Sequence, residues 1–276
     1  MKIAMIGHKQ MPSRVGGVEI VVEELSVRMA AAGHEVHVYN RLDCREHRTA
    51  PEYRGVRIHQ IPTFKRSSLN ATVYSVLASA AALFGGYDVI HYHAEGPCVM
   101  TWLPKLFGIP LVATNHGLDW QRSKWGGFAT RYLKHGEKNS AVYPEELIVL
   151  SKGIRSYFKE QYGRDAVLIP NGVTIRAPGQ PDVIREKWGL RGQDYVLFLA
   201  RLVPEKGLHY LLQAFRQVDT DLRLVVAGRL EDTDYVRQIR ETASKDSRVI
   251  LTDFVTGDAW LELMSCCALY VLPSDV

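Results

Sequence analysis

The string YVLFLARLVPEKGLHYLLQAF, Tyr195 to Phe215, constrains the fold more than any other stretch of this chain. Its continuous apolar start reads as a strand buried on both faces, as in a parallel sheet. A sharp turn bearing Arg201 and Lys206 follows, and then a helix with regularly spaced apolar residues. A strand that feeds a helix through so short a turn calls for an α/β layer structure. Cations beside the positive end of a helix dipole are unfavourable unless an anion lies between them. The turn therefore suits a diphosphate, a solvated helix start being the plainer alternative.

The same rhythm runs along the whole chain. Strands are expected at Lys2–Ile6, Val36–Tyr39, Val56–His59, Val89–Tyr92, Leu111–Thr114, Leu147–Leu150 and Val167–Ile169. They resume at Tyr195–Ala200, Leu222–Ala227, Val249–Leu251 and Leu269–Leu272. Between them Val18, Val21, Val22, Leu25, Met29 and Ala32 mark a helix, with Gly33 at its C′ position. Such alternation predicts doubly wound parallel sheets. The Pro- and Gly-rich segment Ile169–Asp182 reads as a linker between a domain over residues 1–175 and another over 176–276. The Arg201 turn comes after a complete α/β unit, which predicts two Rossmann-like halves facing one ligand across a cleft.

Composition narrows the function classes. With 46% hydrophobic and 23% charged residues the chain is of globular type. Cys44, Cys98, Cys266 and Cys267 lack metal-ligand or framework spacing, which points to a reducing, cytoplasmic compartment; the vicinal pair reads as small buried helix residues. The apolar stretch Ala71–Phe84 is too short to span a bilayer, and the first strand is too brief for a signal peptide. Residues 1–178 hold 22 Lys and Arg against 15 Asp and Glu, while the remainder holds 12 against 15. A basic first half fits an anionic partner such as a lipid surface or a lipid-linked phosphate, or simply a biased solvated surface. No basic run is interleaved with aromatics, so no nucleic-acid partner is expected.

Further candidates fall at strand ends, where open α/β sheets gather their ligands. Gly16 and Gly17, in GHKQMPSRVGGVE, let backbone N–H groups approach a ligand at a helix start; a tight turn explains them equally well. The string HYHAEGP supplies His93 and Glu95, and TNHGLDWQRSKWGG supplies His116, Asp119, Trp120 and Trp125. Their spacing matches no common metal pattern, so no metal is expected. A structural role is an equal reading of His93, and the tryptophans read either as a sugar-stacking loop or as a packed lid. Gly228, Phe254 and Val255 follow later strands and are placed to border the cleft beside Arg201.

Taken together, GGVEIVVEELSVRMAAAGHEVHVY, DVIHYHAEGP, NHGLDWQRSKWG, IPNGV, LARLVPEKGLHYLLQAF, VVAG and YVLPS resemble glycosyltransferase family 4, retaining enzymes of the GT-B fold. Within it the chain is most similar to bacterial capsule, O-antigen and exopolysaccharide enzymes, rhamnosyltransferase-like members included. The resemblance implies hexosyl-type transfer from a nucleotide-diphosphate sugar to a glycan or lipid-linked acceptor, without metal or other cofactor. A cytoplasmic protein is expected, its basic N-terminal domain offering a peripheral contact with the inner face of the plasma membrane. Arg201 and Lys206 would hold the diphosphate and stabilise the leaving group, with Gly16 and Gly17 as backbone donors. His116 would touch the transferred sugar, and Gly228, Phe254 and Val255 would border the donor. His93, Glu95, Asp119 and Trp120 would shape the acceptor side. No hydrolase-type carboxylate pair is required.

One departure stands against this pattern. The family continues from its Pro-Ser turn into an E-x7-E motif contacting donor sugar and ribose, whereas this sequence ends at Pro273, Ser274, Asp275 and Val276. The expectation is a C-terminally truncated second domain with impaired turnover, and a non-catalytic nucleotide-sugar or glycan-binding fragment is the alternative. A Rossmann oxidoreductase is disfavoured, since the G-x-G-x-x-G fingerprint is missing and Tyr39–Asn40 stands where a ribose-binding acid belongs.

Overall fold

The computed structural model describes residues 1–13, 16–42, 50–63, 67–121 and 126–275, with residues 67–69 as backbone only. Cys44 and Trp125 lie outside the described residues. The chain divides into two units, Met1–Val173 and Thr174–Val276.

The first unit runs β1 (Lys2–Ile6), α1 (Gly17–Ala31), β2 (Glu35–Leu42), β3 (Glu52–Tyr53), β4 (Val56–Pro62) and α2 (Ser67–Ala82). It continues with β5 (Val89–His93), α3 (Glu95–Cys98), α4 (Trp102–Leu106), β6 (Leu111–Asn115), α5 (Gly127–Val142), β7 (Glu146–Val149), α6 (Lys152–Tyr162) and β8 (Val167–Leu168). The strands form one sheet in the order β3-β4-β2-β1-β5-β6-β7-β8. All pairings are parallel except that of β3, which meets β4 antiparallel at the edge. One sheet face packs Ile3, Met5, Val36 and Val38 with Val22 of α1. The other packs Ala4, Ile6, Ile90 and Tyr92 with Tyr74 and Ala78 of α2, Ala141 of α5 and Phe158 of α6. Burial on both faces is why these strands read as continuous apolar runs.

The second unit runs α7 (Val183–Trp188), β9 (Tyr195–Leu199), α8 (Leu208–Phe215), β10 (Arg223–Ala227), α9 (Asp234–Ala243), β11 (Val249–Asp253), α10 (Gly257–Cys266) and β12 (Leu269–Tyr270). Its parallel sheet has the order β11-β10-β9-β12, between a core of Phe198, Leu208, Leu212 and Val226 and another of Ile184, Leu197, Val225 and Leu263. Cys266 is buried at the end of α10, but Cys267 has already left the helix with extended backbone and is only half-buried, so the pair does not share one helical setting.

Each sheet has one place where the strand order reverses. In the first unit it falls between β1 and β5, and in the second between β9 and β12. Crevices for ligands open at the C-terminal strand ends of such reversal points. His8 and the His93–Glu95 segment follow β1 and β5, whereas Arg201 and Pro273–Ser274 follow β9 and β12.

Candidate functional site

In the second unit a 3-10 turn, Pro204–Lys206, lies between β9 and α8. Gly207 ends it at φ 68°, and a Cβ there would collide with the Pro273 carbonyl oxygen, so the turn packs directly on the strand end of β12. Ser274 Oγ donates to the Glu205 carbonyl at 3.0 Å, as does the Asp275 backbone N–H. Lys206 Nζ donates to Ser274 Oγ at 3.2 Å. Arg201 is exposed, and its guanidinium makes no hydrogen bond or ion pair with a described residue. Two cations thus stand at the reversal point, neither in an ion pair with a described residue.

The same strand ends bring in the other residues expected there. Gly228 follows β10 with its Cα against the Ala200 carbonyl and the Leu202 side chain. Phe254 is exposed, and the Arg229 guanidinium stacks 5.0 Å from its ring centroid. Val255 packs beneath, with Leu197 and Leu263. Asp253, without a signal in the sequence, accepts the Leu230 backbone N–H at 2.9 Å, and bonds from Leu230 and Phe254 lower its pKa.

The first unit presents a buried, largely uncharged cluster instead. The period of two along β5 puts His91 and His93 on one face, and their rings stack 4.2 Å apart. His91 Nε2 meets Thr114 Oγ1 at 2.8 Å, and His93 Nδ1 meets His116 Nε2 at 3.1 Å. Burial pushes the His116 imidazole down to about 4 and holds His93 well below its ordinary value, so both are neutral at pH 7. With Nε2 engaged, His116 keeps Nδ1 for a ligand. His93 is fully buried beneath it, so it orients His116 rather than facing outward.

His8 completes the cluster from β1. Asn40 Oδ1 accepts the Met11 backbone N–H at 3.0 Å and therefore also accepts from His8 Nε2 at 2.8 Å. This fixes the His8 tautomer and leaves its Nδ1 a buried, bare acceptor. Gly7, at φ 131°, has no room for a Cβ against the His93 carbonyl, which keeps β1 and β5 ends in contact.

Acids lie under the 115–121 loop. Glu95 is 1% exposed and neither of its oxygens is hydrogen-bonded. Burial first, then the nearby Asp119 and Glu137, push its carboxyl up to about 9. Ala94 before it is held at φ 67° and ψ 162°, a strained setting for any residue but glycine. Glu137 of α5 is the buried acid that sequence reading missed. It accepts from Trp120 Nε1 at 2.6 Å, Tyr157 OH at 2.9 Å and Tyr162 OH at 2.5 Å. The available signal was an acid on the inward face of α5 with Leu133, Gly136 and Ser140. Trp120 is thereby tied down, with Lys134 Nζ 4.2 Å over its ring.

Gly16 caps α1 and Gly17 begins it, exposed and with open space around it. The first turns of α1 also carry two buried acids. Glu19 accepts the Lys9 backbone N–H at 3.3 Å, and Glu23 that of Ser13 at 3.0 Å. An anion at this helix start would meet backbone donors beside two carboxyl groups. Among the described residues no group of three or more His, Cys, Asp and Glu is arranged to hold a metal.

A model of Glycosyltransferase Family 4 matches residues 15–177, and one of Glycosyl transferases group 1 matches residues 181–276. Over 266 residues the chain is 24% identical to an uncharacterized glycosyltransferase of Methanocaldococcus jannaschii, covering 94% of this chain and 69% of that protein. It is 23% identical over 300 residues to alpha-maltose-1-phosphate synthase of Mycolicibacterium smegmatis, covering 99% and 74%. The chain spans from 53% to 75% of the length of such relatives. Among solved structures, sucrose-phosphate synthase from Thermosynechococcus elongatus is similar with TM-score 0.82 at 20% identity, over 99% of this chain and 75% of that one. HepE of Anabaena in complex with UDP and glucose is similar with TM-score 0.77 at 19% identity, over 100% and 75%.

Proposed function

Because the chain belongs to glycosyltransferase family 4 and has the GT-B fold, we propose that it moves a sugar from a nucleoside-diphosphate sugar to a lipid-linked glycan acceptor. The transfer retains anomeric configuration and serves cell-surface polysaccharide synthesis of the capsule or O-antigen kind. The enzyme works in the cytoplasm, peripherally on the membrane. HepE is seen with UDP and with UDP-glucose, which supports this class of donor.

The observation that carries the reading is the Arg201 turn: two cations at the reversal point of the second sheet, neither in an ion pair with a described residue. Arg201 and Lys206 take the donor phosphates and offset the charge that develops on the departing nucleoside diphosphate. With that offset in place the step needs no metal. Gly228, Phe254 and Val255 border the nucleotide, and Gly16 and Gly17 offer backbone N–H groups to phosphate. Neutral His116 turns its Nδ1 to a hydroxyl of the transferred sugar, oriented by His93. Asp119 and Trp120 shape the acceptor side, supported from below by Glu95 and Glu137. The acceptor hydroxyl attacks the anomeric carbon on the face the phosphate leaves, and the leaving phosphate takes its proton.

Calorimetry with UDP, GDP, dTDP, ADP and NAD tests the reading. One nucleoside diphosphate should bind at millimolar Kd or tighter, and Arg201→Ala should weaken it at least tenfold, about 1.4 kcal/mol. Binding of NAD alone, or of a nucleoside diphosphate indifferent to Arg201→Ala, overturns it.

A further inference from the structure

We infer that the outward surface of α2, α4 and α5 docks onto an anionic phospholipid bilayer, its apolar side chains entering the interface and its cations meeting headgroup phosphates. α2 carries no charged residue along its whole length. On a helix covering a sheet the outward side is ordinarily polar; here it shows Val76, Leu77 and Ala81 to solvent. Just past its end Phe84 is 90% exposed. From α4 and the residue after it, Leu106 is 75% and Phe107 66% exposed. A cluster of large exposed apolar groups on neighbouring elements marks an interaction surface.

The adjoining helix supplies the charge. α5 turns Leu133, Gly136 and Glu137 inward and Arg131, Lys134 and Lys138 outward, with Phe128 83% exposed at its start. Its one acid, Glu137, is buried, so no acid shares the cationic side. Arg131 and Lys138 form no ion pair with a described residue. α2 and α5 cover the same sheet face, and Tyr132 of α5 reaches Thr72 and Ser75 of α2. Apolar and cationic stripes therefore lie side by side.

That pairing selects the occupant. A second copy docking by the same surface would bring two cationic stripes together, and a nucleic acid would leave the phenylalanines and leucines without a partner. A lipid interface with anionic headgroups satisfies both stripes. No helix among the described residues is long and apolar enough to cross a membrane, so the contact is interfacial. The inference deepens the proposed lipid-linked acceptor and rests on that reading only for why an enzyme would sit there.

Sedimentation with unilamellar vesicles tests it. The chain should bind vesicles of equal parts phosphatidylcholine and phosphatidylglycerol and leave pure phosphatidylcholine unbound. Arg131→Glu with Lys138→Glu should lower the partition coefficient at least tenfold, as should raised salt. Phe84→Ser with Phe107→Ser should lower it several-fold, with an unchanged thermal midpoint in both variants. No binding to anionic vesicles, or binding unmoved by both variants, overturns the inference. So does light scattering that finds a dimer which the Phe variants dissociate. Nucleotide calorimetry on the same variants separates the two readings: intact binding there leaves the Arg201 assignment standing whatever the vesicles show.

Discussion

The two reversal points solve opposite problems. At the first, polar groups are withdrawn from water, so imidazoles are held neutral and Glu95 is pushed toward its protonated form. At the second, Arg201 stays in solvent and Lys206 donates to a hydroxyl, so among the described residues neither charge is paired. A buried cluster contributes geometry and costs stability when disturbed. A pair of cations left exposed, as Arg201, or half-buried, as Lys206, contributes charge and costs little. The fold is shared, and solvent exclusion makes the difference.

This contrast breaks first at Glu137. Glu137→Ala strands the Trp120 indole N–H and two tyrosine hydroxyls and should cost about 3–5 kcal/mol by urea unfolding. Glu137→Gln should cost less, and an Ala variant as stable as wild type would remove Glu137 from the site's framework. Gly7→Ala comes next, at about 3 kcal/mol, because φ 131° strains any Cβ and the His93 carbonyl blocks it.

The third test uses pH. Burial raises the folded pKa of Glu95, so the folded chain keeps a proton that the unfolded chain releases above about 4.5. Stability should fall as pH rises from there toward about 9 and then level, with a slope of at most about 1.4 kcal/mol per pH unit. Glu95→Gln should flatten this limb. An unchanged slope in that variant would mean that Glu95 is ionised in the fold. The smallest effect belongs to Arg201→Ala, which should leave the unfolding free energy within about 0.5 kcal/mol while nucleotide binding falls. A large loss of stability there would make Arg201 structural and erase the contrast.

Much of the architecture was legible because its cause is local. Continuous apolar runs located the parallel strands, and Gly33 marked the end of α1, since both signals come from neighbours in sequence. β3 carries no such signal: its two residues exist as strand only by pairing with β4. The strand-end rule gathered His93, Glu95 and His116 correctly into one neighbourhood, yet gave no hint that His93 lies beneath His116. Glu137 stayed hidden because its partners are 17, 20 and 25 residues away in other elements.

By itself, then, the sequence determined the α/β class, the division of apolar and polar positions, and the Arg201–Lys206 turn, because propensity, periodicity and chain spacing are short-range quantities. Tertiary structure alone decided which polar groups lose their water. It left Arg201 exposed, buried Glu95 among other acids, and set α2's uncharged side beside α5's cations. Those outcomes depend on packing between distant segments, and with them come protonation, tautomer and the surface left for a partner.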